Sequence, residues 1–382
     1  MQDNREEEIL KQQVIDIMNE DHQQPYGQEI RQRPGKSKKK RHLGLKILGI
    51  IAAVLLIVVI FFIGTKPGRG IIYSAASKFV YSNVHNEDII EKYNKSGNGQ
   101  EASVRQEDYV TNYLIFGIEE FGGARNTDSM MIASINTKDD TIKLTSLLRD
   151  SYVEIPGYKA NKLNAAYAKG GARLLVDTVE LNYKVKIDGY VSVDFKSFEN
   201  IVDMLGGVTI ELGEKEAKYL NTTNYISKKA NRNVKPGVNH LNGNQVMGYC
   251  RVRKVETLGG INNDYGRIVR QQRALKAIFD SYISPKNIFK VLRVTKEGLG
   301  YVTTNLTQSQ IREAMKAVVE NRITELETFR VPVDGAFDAP KKYNGIGYPL
   351  VIDWETNRVE LYKFIYNDTK SEAQDELARI ED

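Results

Sequence analysis

The chain has 382 residues, 41% hydrophobic and 27% charged, which suits one large folded domain or two modest ones and excludes disorder throughout. A net charge of +5, from 54 basic and 49 acidic residues, gives no overall basic excess to suggest nucleic-acid binding. The single cysteine, Cys250, excludes an internal disulfide and a thiolate zinc site, and four dispersed histidines (His22, His42, His85, His240) argue against a histidine metal cluster or a Ser-His-Asp hydrolase.

Residues 1–42 are polar and charge-rich, a composition that favours disorder, with a short helix expected near Ile9–Met18. Ile47 to Gly64 then runs for 18 residues without a charge. With Leu43 to Lys46 as a snorkelling flank, this segment can cross a hydrocarbon layer of ~30 Å. The blander reading is a buried helix of a soluble protein, and a run this long that is apolar on every face favours the membrane. Arg31, Arg33, Lys36, Lys38, Lys39, Lys40 and Arg41 precede it, and only Lys66, Arg69 and Lys78 follow at wider spacing. The positive-inside bias therefore predicts residues 1–46 as a cytoplasmic basic tail, 47–64 as a transmembrane anchor and 65–382 outside the cell membrane. A cleaved signal peptide would start nearer the N-terminus and end in a small-residue site, which is missing. The basic cluster suits anionic lipid of the inner leaflet.

Residues 65–108 read as an extracellular stalk with an apolar stretch around Ile71–Val84, able to hold a helix packed on the main domain, and a polar NKSGNGQEAS linker. Tyr113–Ile118, Met130–Ile135, Thr141–Leu147, Ile187–Val193 and Val208–Leu212 carry strand patterns. Ala172–Tyr183, Phe195–Leu205 (closed by Gly206–Gly207), Tyr265–Ile283 and Gln308–Val319 have helical apolar spacing. Residues 213–245 are polar and read as an excursion or lid. Interspersed strands and helices predict an α/β fold, a mixed central sheet with helices on both faces, preceded by the one transmembrane helix. The predicted divisions are a core over 109–285, a C-terminal accessory part over 286–368 and a polar tail over 369–382.

Arginines recur in settings that suit an oxygen anion. Arg125 and Asp128 lie in GARNTDSMM before a strand, and Arg149 and Asp150 end the strand of LTSLLRD. Mixed sheets tend to place ligands at such strand ends. In YCRVR, Arg251 and Arg253 would share one face of a strand beside Tyr249. Arg267, Arg270 and Gln271 stand at i, i+3 and i+4 of a helix that Asp264 is placed to cap. Six guanidinium groups converging on an empty pocket would repel one another, whereas a pyrophosphate would reconcile them. A divalent ion would then balance the remaining charge, with Asp128 as its first carboxylate and Glu119 as its second. Each motif alone also has a plainer reading: a solvated strand face for Arg251 and Arg253, an ion pair for Arg149 and Asp150, the wet side of a helix for Arg267, Arg270 and Gln271.

Taken in order, TNYLIFGIEE, RNTDSMMIASIN, TSLLRDSYVEIPGY, KLNAAYAKGG, DTVELNY, DGYVSVDF, VDMLGGVTI, GVNHLNGNQVMGYCRVR and DYGRIVRQQRAL resemble the LytR–CpsA–Psr family of cell-wall enzymes across roughly Asn112–Ile283. The resemblance implies an α/β/α sandwich with a hydrophobic cavity for a polyprenyl tail. It implies a phosphotransferase that moves a glycopolymer, a teichoic acid or a capsular polysaccharide, from undecaprenyl pyrophosphate to peptidoglycan through a phosphodiester. Hydrolysis of the pyrophosphate by water would be a side activity. Mg²⁺ is the implied cofactor, with Mn²⁺ as its substitute, and no nucleic acid is an expected partner. On matching positions, Asp128 takes the role of the metal-associated carboxylate. Arg149, Arg251, Arg253, Arg267, Arg270 and Gln271 take pyrophosphate-binding and activity-linked roles. Lys162 and Asn164 fit a K-x-N element near the same pocket, and Asp264 fits the acid before the last helix. Asn126 stands where the family usually has Arg, with Arg125 one residue further off, and Gly117–Ile118–Glu119 stands for the family's G-x-D. The competing functions are a membrane-bound transcriptional attenuator and a noncatalytic polyprenyl-pyrophosphate binding module.

Overall fold

The structure, a computed structural model, describes residues 65–87, 102–121, 124–283, 296–323 and 325–381. The basic tail, the helix expected near Ile9–Met18 and the 47–64 run lie outside the described residues. Among the described residues no helix is long and apolar enough to cross a membrane.

Helix α1 (Lys66–Tyr81) occupies the stretch read as a stalk. It is followed by strand β1 (His85–Asn86) and by a long hairpin of β2 (Val110–Phe121) and β3 (Ala124–Asn136). Next come β4 (Thr141–Leu147), a small hairpin of β5 (Tyr152–Ile155) and β6 (Tyr158–Lys162), helix α2 (Asn164–Tyr183), β7 (Gly189–Asp194) and α3 (Phe195–Leu205). A second lobe contains β8 (Val208–Leu212), α4 (Glu214–Thr222), β9 (Gly237–Leu241) and α5 (Gly243–Arg251), and helix α6 (Asn263–Ile278) leads back from it. The chain then adds β10 (Val302–Thr304), α7 (Gln308–Glu320), β11 (Leu326–Val331), α8 (Trp354–Tyr366) and α9 (Lys370–Glu381).

Seven strands form the central sheet in the order β1-β10-β7-β2-β3-β4-β11. β2 pairs antiparallel with β3 and parallel with β7, and β4 pairs parallel with β11, so the sheet is mixed. Alternation along β2 explains its two-sided burial. Leu114 and Phe116 enter a core with Leu174, Leu175 and Val179 of α2, Leu361 and Ile365 of α8, and Leu377 of α9. Tyr113 enters the opposite core with Ile135, Ile142, Phe279, Ile311 and Val318. The expected mixed sheet with helices on both faces is therefore present.

Five local expectations change. Residues 213–245 are not a polar excursion. Their apolar residues are sparse but well placed, and Leu220, Ile226, Val234 and Leu241 are buried in the second lobe's own core. The YCRVR segment is not a strand but the end of α5, which Asn242 opens by accepting from the Gln245 N–H while the Gln245 side chain accepts from the Asn242 N–H. Residues 286–368, set apart as an accessory part, supply β10 and β11 to the central sheet. The polar tail is the amphipathic α9, whose Ala373 and Leu377 are buried. The helix read over Ala172–Tyr183 begins earlier, at Asn164, and is broken where Gly171 takes φ +67°.

Candidate functional site

The site gathers at one end of the sheet, where β2, β4 and β7 finish and β3 begins. β2 and β3 lose their simple register at Gly117/Ile118. A bulge there re-aims the following side chain, and the Glu119 carboxyl comes to face Asp128. Burial and the Asp128 charge raise the Glu119 carboxyl above the ordinary carboxylate range, against the pull of Arg251.

Asp128 is the hub. Arg149, just past the end of β4, donates from Nη1 to Asp128 Oδ1 at 2.6 Å. Arg253 lies 3.6 Å and Arg267 4.0 Å from Asp128 Oδ2. Arg251 reaches Glu119 at 3.3 Å. Asp264 bridges Arg253 at 3.4 Å and Arg267 at 3.0 Å. Asp150 lies 3.4 Å from Arg149 Nε and 2.9 Å from Lys162 Nζ. The backbone N–H of Asn164 donates to the Arg149 carbonyl at 3.2 Å, which ties the K-x-N element to the arginine's main chain. Gln271 accepts from the Ser129 hydroxyl at 3.2 Å on the same pocket wall. The cleft among them is narrow, with a cavity volume of about 10 Å³, and is lined among others by Asp128, Arg149, Asp264, Arg267 and Gln271.

Mutual repulsion of the arginines is not what this geometry needs a ligand to relieve. Arg149, Arg251, Arg253, Arg267 and Lys162 are interleaved with Glu119, Asp128, Asp150 and Asp264. Burial works against the charge on Arg149, yet Asp128, Asp150 and Asp264 carry its pKa above the usual value. What is left over is hydrogen-bonding capacity. Arg149 Nε and Arg267 Nε and Nη1 are buried without a hydrogen-bond partner, although both side chains sit within ion-pair range of carboxylates. Buried donors are rarely left unmatched, so these mark a place for an acceptor.

One expected residue stands elsewhere, and another has a different local role. Arg270 is fully buried and turns away from the pocket. It donates to Glu216 Oε1 at 2.7 Å and to the carbonyls of Val252 at 3.0 Å and Val255 at 2.8 Å. At i+3 from Arg267 it falls on the side of α6 that meets the second lobe, so it positions the Arg253 segment and does not line the pocket. Asp264 is in the first turn of α6 but is not its cap; Asn262 fills that role by accepting from the Asn263 N–H. Gly266 lets the preceding loop lie close, since a Cβ there would stand 2.8 Å from the Ile261 carbonyl. The side chain of Arg125 lies outside the described residues. Sequence reasoning missed Glu216, which sat in a stretch read as solvated, and Ser129, whose neighbour Asp128 drew the attention.

Two facing carboxylates, Asp128 and Glu119, fit a hard divalent ion that takes one or two protein carboxylates and completes its shell from water and phosphate. No group of three or more acidic, His or Cys ligands occurs among the described residues, so the protein alone would hold such an ion incompletely.

The mixed sheet thus carries at its strand ends a pocket of paired arginines and carboxylates with unmatched N–H donors. The chain matches the LytR_cpsA_psr family over residues 74–355 and belongs to that family. The regulatory protein MsrR of Staphylococcus aureus is 27% identical over 299 residues, 78% of this chain and 85% of the relative. The polyisoprenyl-teichoic acid–peptidoglycan teichoic acid transferase TagU of Bacillus mycoides is 31% identical over 323 residues, 82% of this chain and 94% of the relative. The crystal structure of TagV from B. subtilis superposes with a TM-score of 0.52 at 26% identity, covering 68% of this chain and 99% of that one.

Proposed function

We propose that the chain is a membrane-anchored enzyme that transfers a glycopolymer from a polyprenyl-pyrophosphate carrier to peptidoglycan through a phosphodiester, with residues 65–382 on the outer side. The observation that carries this reading is the set of buried, unpartnered donors on Arg149 and Arg267 beside the Asp128–Glu119 pair. The name of the TagU relative, with its polyisoprenyl donor and peptidoglycan acceptor, supports it.

The arginines grip the pyrophosphate oxygens as planar forks that keep their charge when desolvated. Asp128, Asp150 and Asp264 hold those forks in place before substrate arrives, so little reorganisation accompanies reaction. An acceptor hydroxyl attacks the sugar-side phosphorus. The bond to the bridging oxygen breaks, polyprenyl phosphate leaves with the electron pair, and the hydroxyl proton passes to solvent. Positioning and charge neutralisation dominate such transfers, so the shortage of histidine is no obstacle. Asp128 and Glu119 would hold Mg²⁺, or Mn²⁺ in its place, which when bound neutralises phosphate charge and eases departure of the leaving group. Water in place of the glycan gives pyrophosphate hydrolysis as a side reaction.

The test is incubation of the full chain in nanodiscs with a polyprenyl-pyrophosphate-linked glycan and peptidoglycan, with and without Mg²⁺. Metal-dependent release of polyprenyl phosphate and a glycan–peptidoglycan phosphodiester are expected. Carrier binding with no product would assign the site to a noncatalytic binding module instead.

A further inference from the structure

In-line attack requires the acceptor to reach phosphorus from the side opposite the leaving group, away from the arginines that hold the pyrophosphate. A second, larger cavity opens beside Glu119. Its volume is about 480 Å³, and Glu119, part of the arginine cluster, lies in its wall. Its other walls come from the β7–α3 junction and from the start of β10. They present the rings of Phe195 and Tyr301, the hydroxyls of Ser192 and Thr303, and the charged ends of Asp194 and Lys196.

We propose that this cavity is the acceptor subsite and that it binds the saccharide backbone of the acceptor, an inference that rests on the transferase reading above. Aromatic faces beside a few fixed polar groups suit a sugar ring, which is apolar on its C–H face and hydrogen-bonding at its rim. The polar groups are pre-positioned. Asp194 caps α3, accepting from the Ser197 N–H at 2.8 Å and the Ser197 hydroxyl at 2.6 Å, and each carboxylate oxygen keeps a free lone pair. Arg251 stands beside this cavity: its guanidinium lies 5.6 Å from the centre of the Phe195 ring and 3.3 Å from Glu119, two of the lining residues. A phosphate held at Arg251 would therefore sit at the edge of this cavity. Occupation by the polyprenyl tail is the poorer fit, because it would strip water from Asp194, Lys196 and Ser192 without replacing their hydrogen bonds.

The experiment titrates the full chain in detergent with a soluble peptidoglycan tetrasaccharide, read by saturation-transfer NMR, and measures donor binding separately. Tyr301→Ala and Thr303→Val should each weaken saccharide binding by about five- to tenfold, the effect of one lost contact, and leave donor affinity unchanged. Lys196→Ala, an exposed position where folding is not at stake, should weaken it as well. Absence of saccharide binding by the wild type, equal binding by all three variants, or loss of donor affinity in them overturns the proposal. The two readings fail separately. Transfer with an acceptor KM that the variants do not move leaves the transferase standing without this subsite. Saccharide binding that the variants weaken, with no transfer by the wild type, leaves the subsite standing without the reaction.

Discussion

Two arginine clusters stand at opposite ends of β2, roughly 36 Å apart by strand rise, and they differ in what each guanidinium has left to give. Before the strand begins, Arg105 is spent. It pairs with Asp368, donates to Glu107 at 3.0 Å and lies 3.7 Å from the centre of the Tyr366 ring. Beyond the strand's far end, Arg267 is as buried and Arg149 somewhat less so, both in acidic company, but they keep unmatched N–H groups. The first cluster locks the segment before β2 to the α8–α9 junction. The second is held rigid yet unsaturated, which is the condition for receiving an anion. Arg270 repeats the first pattern only three residues from Arg267, so the distinction belongs to the local partners and not to the region.

The strongest way to break that comparison is to remove a saturated arginine. Arg270→Ala removes the ion-pair partner of the fully buried Glu216, which keeps only the Gly213 and Leu258 N–H groups, and should cost about 3–5 kcal/mol. Urea denaturation of the variant should show this as a large fall in midpoint. A loss under 1 kcal/mol would mean the pair is far wetter than its burial suggests. The unsaturated side is tested by Arg149→Ala. Loss of a donor set aimed at developing charge should lower transfer by about 10²–10³-fold. Its thermal midpoint should stay near that of the wild type, because Asp128 keeps Arg253 and Arg267 nearby. Full turnover by this variant would remove Arg149 from the reaction.

Much of this was legible in advance, for identifiable reasons. β2, β4, β7, α3 and α7 have strong apolar periods and clear stops, such as Gly206 after α3, and periodicity survives folding. The convergence of Asp128, Arg149, Arg253, Arg267 and Gln271 was reached through a resemblance, since no local rule brings residues 143 positions apart to one pocket. The i, i+3 spacing puts Arg270 on one stripe with Arg267, and the fold separates them. Across a helix of 16 residues crossed by two layers, that stripe is wide enough to be split between a pocket and a core. The buried Glu216 that decides the matter lies 54 residues earlier, in a segment whose composition reads as solvent-facing.

Arg105→Met sharpens the comparison with a smaller effect. It removes charge-assisted bonds to Asp368 and Glu107 and should cost about 1.5–3 kcal/mol. Transfer per folded molecule should be unaltered, because the knot lies at the far end of β2. A drop in turnover at unchanged folded fraction, measured with active-site-independent quantitation such as circular dichroism, would show that the two ends communicate.

The smallest effect concerns the proton on Glu119. Its folded pKa lies above the ordinary 4.5 because of burial and of Asp128 facing it. As pH rises past 4.5 the unfolded chain releases this proton first, so it binds fewer protons than the folded chain and stability falls until the folded value is passed. The contribution is therefore fully present below 4.5 and lost above the folded pKa. Glu119→Gln cannot ionise and should remove that fall. Urea midpoints of both proteins, taken at steps from pH 4 upward, should converge toward the acid end and separate toward neutrality with the variant the more stable. Parallel profiles would mean that Glu119 does not confront Asp128 across a poorly hydrated gap, and the carboxylate pair would lose its standing as a place for a divalent ion.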